Sequence, residues 1–146
     1  MNSNSWNYKT TNQYFDYLDF HDCVVEVIKV ENDTVIIDFE FVYISEKHPH
    51  NSYGVPKATD KCRLTFNGVT LIKSIIHFDN CSEKEVPIVD LVEMEFLKFD
   101  QCSMGNDFLY QMFGTDWKTN QFSSIKIKAT DFSLEWNKFT DDAWYA

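Results

Sequence analysis

Residues 20–44, FHDCVVEVIKVENDTVIIDFEFVYI, carry the reading that decides the fold class. Phe20, Cys23, Val24, Val27 and Ile28 fall at helical spacing, so periodicity alone leaves Val24–Val30 open between helix and strand. Residue type decides for strand. Four Val and one Ile in these seven positions favour an extended chain, because β-branched side chains lose χ1 freedom in a helix and pack well on a pleated surface. After a turn at Glu31-Asn32-Asp33 the alternation is clean, with Val35, Ile37, Phe39, Phe41 and Tyr43 on a core face and Asp38 and Glu40 on the other. The two runs form a β-hairpin.

The same alternation recurs outward from this hairpin. Cys62, Leu64 and Phe66 alternate with Arg63 and Thr65, then comes Asn67-Gly68, then a second run from Val69 to Phe78. Asn-Gly tolerates the positive φ of a type I′ turn, so a second hairpin is expected here, with Phe66 facing Val69. Ile88–Phe99 is punctuated by acids without a strict period and reads as a strand in preference to a helix. Asn106–Phe113 reads as one short helix, with Phe108, Leu109, Met112 and Phe113 on one side, Asn106 as its cap and Gly114 as its stop. Ile125, Ile127 and Ala129, then Phe132, Leu134 and Trp136, form a strand that bends near Thr130-Asp131 or two strands in sequence.

Six to eight strands and one or two short helices follow, a mainly β (β-rich α+β) single domain spanning residues 1–146. The architecture expected is an antiparallel sandwich or strongly curved sheet. The first 12 or so residues are expected to fray. At 146 residues, 44% of them hydrophobic and 16% aromatic, the chain is long enough to bury roughly two thirds of its unfolded surface around one core.

Composition bounds the function classes. The polar opening MNSNSWNYKTTNQ lacks the pattern of a signal peptide and no apolar run is long enough for a membrane span, so a cytoplasmic, soluble protein is expected. Cys23, Cys62, Cys81 and Cys102 are widely spaced without a CxxC pair, as reduced thiols would be. The net charge of −10, from 13 basic and 23 acidic residues, disfavours nucleic acid and anionic membranes and permits a basic protein partner. No cofactor is implied.

Several constellations bear on chemistry. His21-Asp22 resembles the His-Asp pair of metal phosphohydrolases, but at the start of a strand neighbours point to opposite faces, and Asp22 is expected to bond backbone groups there. His48 and His50, in Lys-His-Pro-His-Asn, have ligand-type spacing on a Pro-containing loop, residues 45–59, and are the weak metal candidates; two imidazoles do not complete a site, and an exposed loop is expected. A Cys-His nucleophile would have to bring Cys23, Cys81 or Cys102 against His77 or His21, with nothing local to support it. Carboxylates recur at Asp16, Asp19 and Asp22, at Glu93 and Glu95, and at Asp141 and Asp142.

Aromatic residues interleave with acids in Tyr14-Phe15-Asp16-Tyr17-Leu18-Asp19-Phe20 and again between Trp136 and Tyr145. Tyr and Trp anchor binding surfaces, and acidic neighbours select Lys- or Arg-rich partners. The partner-contact set is therefore Tyr14, Tyr17, Asp19, His48, His50, Tyr53 and Trp144.

Phe20-His21-Asp22, Leu64-Thr65-Phe66-Asn67-Gly68-Val69 and Phe132-Ser133-Leu134-Glu135 together resemble a group of small uncharacterised bacterial β-rich proteins, some of them similar to immunity proteins of toxin systems. The resemblance covers about half the chain and rests on strand-packing patterns. It implies a small β-rich domain with no catalytic residues to carry over. The acidic balance, the aromatic-acidic clusters and the lack of a catalytic constellation lead to the expectation of a non-enzymatic cytoplasmic binding protein, an immunity-like inhibitor of a basic partner. The alternative is a small-ligand- or metal-binding β protein or enzyme that uses the mouth of a curved sheet, with His48, His50 or His21 near the opening.

Overall fold

The computed structural model describes residues 5–146, and strands are numbered in chain order. One five-stranded antiparallel sheet has the order β1 (Tyr8–Thr11), β13 (Asp131–Trp136), β7 (Cys62–Asn67), β4 (Thr34–Phe39), β3 (Val25–Glu31). The second runs β10 (Met94–Met104), β11 (Asp107–Asp116), β12 (Gln121–Ala129), β8 (Leu71–His77), β9 (Glu83–Glu85). A third, four-stranded and built from short pieces, runs β14 (Phe139–Asp142), β6 (Lys57–Thr59), β5 (Tyr43–Ile44), β2 (Leu18–Asp19). Two 3-10 turns, Asn12–Tyr17 and Ile88–Leu91, are the helical elements among the described residues.

The two large sheets share no strand, but the chain passes from one to the other twice at adjacent points. Asn67-Gly68 is not a hairpin turn: β7 belongs to the first sheet and β8 to the second, and the chain turns the corner between them. Beside it β12 passes into β13 through Thr130 in the same way, so the predicted bend and the predicted pair of strands are both realised. Backbone bonds close the corner, Thr130 N–H to the Asn67 carbonyl at 2.9 Å, Thr70 N–H to Lys128 at 2.9 Å and Val69 N–H to Asp33 at 2.8 Å. Gly68 sits at φ +64, and a Cβ there would lie 2.2 Å from the Thr130 hydroxyl. Glycine is required both for its dihedral and for the close approach.

A second seam joins the far side. Asp22 N–H bonds the Phe96 carbonyl and Phe96 N–H bonds the Cys23 carbonyl, each at 2.9 Å, around a Val24–Glu95 bridge. Stitched on both sides, the sandwich encloses a core in which Phe39, Phe66, Phe96, Phe132, Tyr110 and Trp136 are fully buried. Rings from opposite sheets meet across it: Phe39 with Phe96 at 5.1 Å, and Phe66 with Tyr110 at 4.9 Å. Such pairs add about 0.5–1.5 kcal/mol each beyond the area they bury. Burial pushes the Tyr110 phenol up to about 12 although the Asn12 side chain bonds its oxygen.

The helix expected at Asn106–Phe113 is a strand. Met104 pairs with Asp107 across a two-residue Gly105-Asn106 turn, with Gly105 at φ +67, and β11 then alternates with Tyr110, Met112, Gly114 and Asp116 inward. Apolar residues at helical spacing were outweighed by ladders on both flanks, β10 and β12, which local pattern cannot register. Gly114 stops nothing. A Cβ on it would stand 1.9 Å from the Glu95 carbonyl oxygen, opposite the bulge between Phe96 and Lys98.

Other expectations shift in detail. Ile88–Leu91 is a 3-10 turn and the strand begins only at Met94. The alternating face of the opening hairpin ends at Phe39; beyond Glu40 the phase changes and Val42 and Ile44 become fully buried. Of the opening segment expected to fray, Tyr8–Thr11 is paired to β13, while residues 1–4 lie outside the described residues. Among the described residues fourteen strands replace six to eight because several are two to four residues long. No helix among the described residues is long and apolar enough to cross a membrane.

Gly114→Ala should destabilise the protein by about 3 kcal/mol, since the added methyl meets backbone that cannot rotate away. Chemical denaturation measures it; an unchanged midpoint would contradict the packing described.

Candidate functional site: an acidic aromatic groove

The loop at residues 45–59 is folded tightly, and His48 is not exposed. Its ring is 2% accessible, with Nε2 2.8 Å from the Thr10 hydroxyl and Nδ1 accepting the His50 N–H at 3.0 Å. A nitrogen that accepts carries no proton, so His48 holds its proton on Nε2 and donates to Thr10. His50 is exposed, and its Nε2–H donates to the Lys9 carbonyl at 3.1 Å. Both nitrogens of His48 are thus occupied and one of His50 is, which leaves a single lone pair where a metal would need several. Among the described residues no three His, Cys, Asp or Glu converge as a metal-holding group.

Asn51 pins the same loop from within, donating to the Ile44 and Val55 carbonyls at 3.0 and 2.9 Å and accepting the Tyr53 N–H at 2.9 Å. Burial first, and His50 second, lower the His48 pKa to about 4. The ring is neutral at pH 7. Tyr14 packs 5.1 Å from His48 and 6.4 Å from Tyr17, so three of the expected contact residues form one half-buried cluster.

Trp144 belongs elsewhere, to a groove of about 460 Å³ along the small sheet; Asp19, paired with Tyr43 across β2 and β5, stands beside this groove and is not part of its lining. Its walls carry Glu40, Phe41, Tyr43, Asp60, Asp141, Asp142 and Trp144. Short strands position them: β5 presents Tyr43, β14 presents Asp141 and Asp142, and Thr59 of β6 joins the sheet to Val42 by backbone and side-chain bonds of 2.9 and 3.2 Å. Ala143, itself buried, is fixed by a 2.8 Å bond to the Pro56 carbonyl. The next residue, Trp144, is held out in solvent at 68% exposure.

Aromatic contacts continue around the rim, Phe41 to Tyr43 at 5.3 Å, Tyr43 to Tyr145 at 5.5 Å and Tyr145 to Trp144 at 5.5 Å. Burial, and next the Asp19 carboxylate, push the Tyr145 phenol up, so it remains a neutral donor toward that acid. Of the groove acids, Asp142 pairs with Lys57 at 3.1 Å and Asp60 accepts the Asn137 and Lys138 N–H groups. Glu40 and Asp141 have no basic partner within ion-pair distance among the described residues. Unpaired carboxylates beside ring faces are the chemistry that takes up an ammonium or guanidinium group.

No protein-family model, curated protein or solved structure matches this chain. The site therefore stands on its own geometry.

The remaining candidates do not assemble. His21 and Asp22 occupy a turn, with Asp22 at φ +69, and their side chains do meet, at 3.2 Å; it is Asp19, not Asp22, that accepts a backbone N–H, from His21 at 2.9 Å. Cys62 lies in β7 and Cys23 just ahead of β3, both buried, and burial above all pushes their thiols up. Hydrogen bonds from the sulfurs run to backbone carbonyls, that of His21 among them, and none reaches an imidazole ring among the described residues. Tyr53 is exposed and packs on Phe139 at 5.6 Å, with Lys57 4.8 Å above its ring.

One arrangement escaped the sequence. His77 Nε2 lies 2.9 Å from the Ser124 hydroxyl and His77 Nδ1 lies 3.2 Å from Glu83, a Ser-His-Glu row assembled from β8, β12 and β9. Ser124 is inside a strand laddered on both sides, so the N–H groups of β12 around it are engaged in the sheet and not offered as the free pair that acyl transfer would need. Three residues so far apart leave no local signal.

His48 has a folded pKa below its unfolded value, so its contribution is complete above about pH 6.5 and disappears as pH falls toward 4. His48→Asn keeps an acceptor for the His50 N–H without titrating. Between pH 7 and pH 4 the wild type should lose up to about 3 kcal/mol more stability than this variant, by denaturant titration at each pH. Parallel pH profiles would refute the assignment.

Proposed function

We propose that the chain is a non-enzymatic binding protein that masks a basic protein, as an immunity-like inhibitor does in a bacterial cytoplasm, and that the acidic aromatic groove is its contact surface. The observation that carries this reading is Trp144, exposed and anchored through Ala143, beside the unpaired Glu40 and Asp141. Aromatic anchors supply contact area at low entropic cost, and surrounding carboxylates select a cationic partner and speed its encounter. The net charge of −10 acts in the same direction at long range. Four free thiols suit a reducing compartment, and the sequence resemblance supplies the toxin-inhibitor class.

A basic side chain entering the groove would lie between the Trp144 and Phe41 rings with Asp141 and Glu40 at its charged end. The Tyr53 ring already holds Lys57 in this manner nearby.

The test is calorimetric titration with the product of the adjacent gene and with an arginine-rich peptide, at low and at high salt. Trp144→Ala should weaken binding by about 2 kcal/mol or more, and Glu40→Gln with Asp141→Asn should flatten the salt dependence. Affinity indifferent to both changes would rule this surface out.

A further inference from the structure

The middle of the outer face of the second sheet, on β8 and β12, carries the opposite charge, between acids on the flanking strands at Asp100, Glu83 and Glu85. Lys126 of β12 stands directly across from Lys73 of β8, and Lys128 follows two residues along. Like charges directly opposite each other destabilise a sheet, and none of the three lysines has a carboxylate within ion-pair distance among the described residues. In a chain with a large acidic excess, partners were available in number. The uncompensated pair points to an anion supplied from outside.

The surroundings define that anion further. Lys73 and Lys126 line a groove of about 550 Å³ together with Lys98, Phe113, Ser124 and Ile75. This is within the size range of small-ligand sites. Phe113 is exposed and flanked by Phe122, itself 54% exposed, at 5.2 Å with the rings inclined by 31°. The register places Asp100, Gln111, Lys126 and Lys73 in one row across four strands, a span of about 14 Å at ordinary strand spacing. Phe113 and Ser124 stand in the next row. With Glu83 at His77 Nδ1, the histidine accepts at Nε2 and Ser124 donates to it, so the serine oxygen is left as an acceptor toward the groove.

We propose that this groove is a binding site for a nucleoside monophosphate, with the phosphate bridging Lys73 and Lys126, the base lying on Phe113, and a sugar hydroxyl donating to Ser124. Paired ammonium groups suit a phosphate dianion, and the adjoining ring supplies the apolar face that inorganic phosphate cannot use. Asp100, which also lines the groove, is paired with Lys98 at 3.8 Å, so these two charges offset each other and Lys73 and Lys126 are left as the uncompensated pair. The overall negative charge opposes a long polyanion at a distance while leaving this local field open to a small ligand. The site is remote in sequence from Trp144 and independent of the basic-partner reading.

The test is calorimetry and amide chemical-shift mapping of the full chain with AMP, inorganic phosphate, adenosine and a single-stranded oligoribonucleotide. AMP should bind at least about tenfold tighter than phosphate or adenosine, with shifts on β8, β11 and β12. Lys73→Gln with Lys126→Gln should reduce AMP affinity by about tenfold or more, and it should leave the near-ultraviolet dichroism unchanged because it relieves a repulsion. Phe113→Ala should weaken AMP about fivefold or more without altering phosphate binding, and Trp144→Ala should leave AMP binding intact. Absence of AMP binding at millimolar concentration, equal affinity for AMP and phosphate, retention in the double lysine variant, or tighter binding of the oligoribonucleotide would each overturn the proposal.

Discussion

The corner at Gly68 and Thr130 is the constraint on which the rest of the molecule depends. Two neighbouring chain segments leave one sheet and enter the other side by side, and the Thr130 N–H bond to Asn67 keeps them in register as they turn. Because Gly68 has no Cβ, the Thr130 side chain can stand against it, and the ladders resume close by on either side, Asn67 with Asp131 and Leu71 with Lys128. The aromatic core follows from this. Phe66 and Phe132 before the corner, and Ile125 and Ile127 beyond it, line the same interior from two directions. On the opposite side the Cys23 and Phe96 seam completes the enclosure, which is why Asp22 tolerates a left-handed backbone there.

The small sheet is a different construction. Its strands are too short to be stable as ladders alone, and they hold position through side-chain bonds to backbone, Thr59 to Val42 and Asn51 to Ile44 and Val55, and through the buried His48. A neutral imidazole that accepts one backbone donor and donates to Thr10 costs little to bury, whereas its charged form would lose the acceptor. The loop that carries it thereby becomes a rigid support. The aromatic rim above can then stay exposed without collapsing onto the core.

Local rules are broken at two surfaces, and these are where binding is proposed. Carboxylates without partners line the groove at Trp144, and lysines without partners oppose each other on the second sheet. Each arrangement raises the energy of the free protein by leaving charge uncompensated, and each would be relieved by a ligand of opposite sign.

Much of the fold was legible along the chain. Val35, Ile37 and Phe39, Leu64 and Phe66, Ile125 and Ile127, Phe132 and Trp136 alternate in sequence and are buried in the structure, because a strand's side-chain period of two is a local property. Acidity, the widely spaced cysteines and the aromatic-acidic run from Trp136 to Tyr145 were equally open to reading. Tertiary structure alone decided that Asn67-Gly68 turns a corner, that residues 107–116 form a strand, and that His48 is buried. It also decided that Lys73 meets Lys126, that Ser124 meets His77, and that Trp144 and Phe41 line one groove. These are pairings between residues distant in sequence, set by which strands become neighbours, and no local preference encodes the partner on the other side of a ladder.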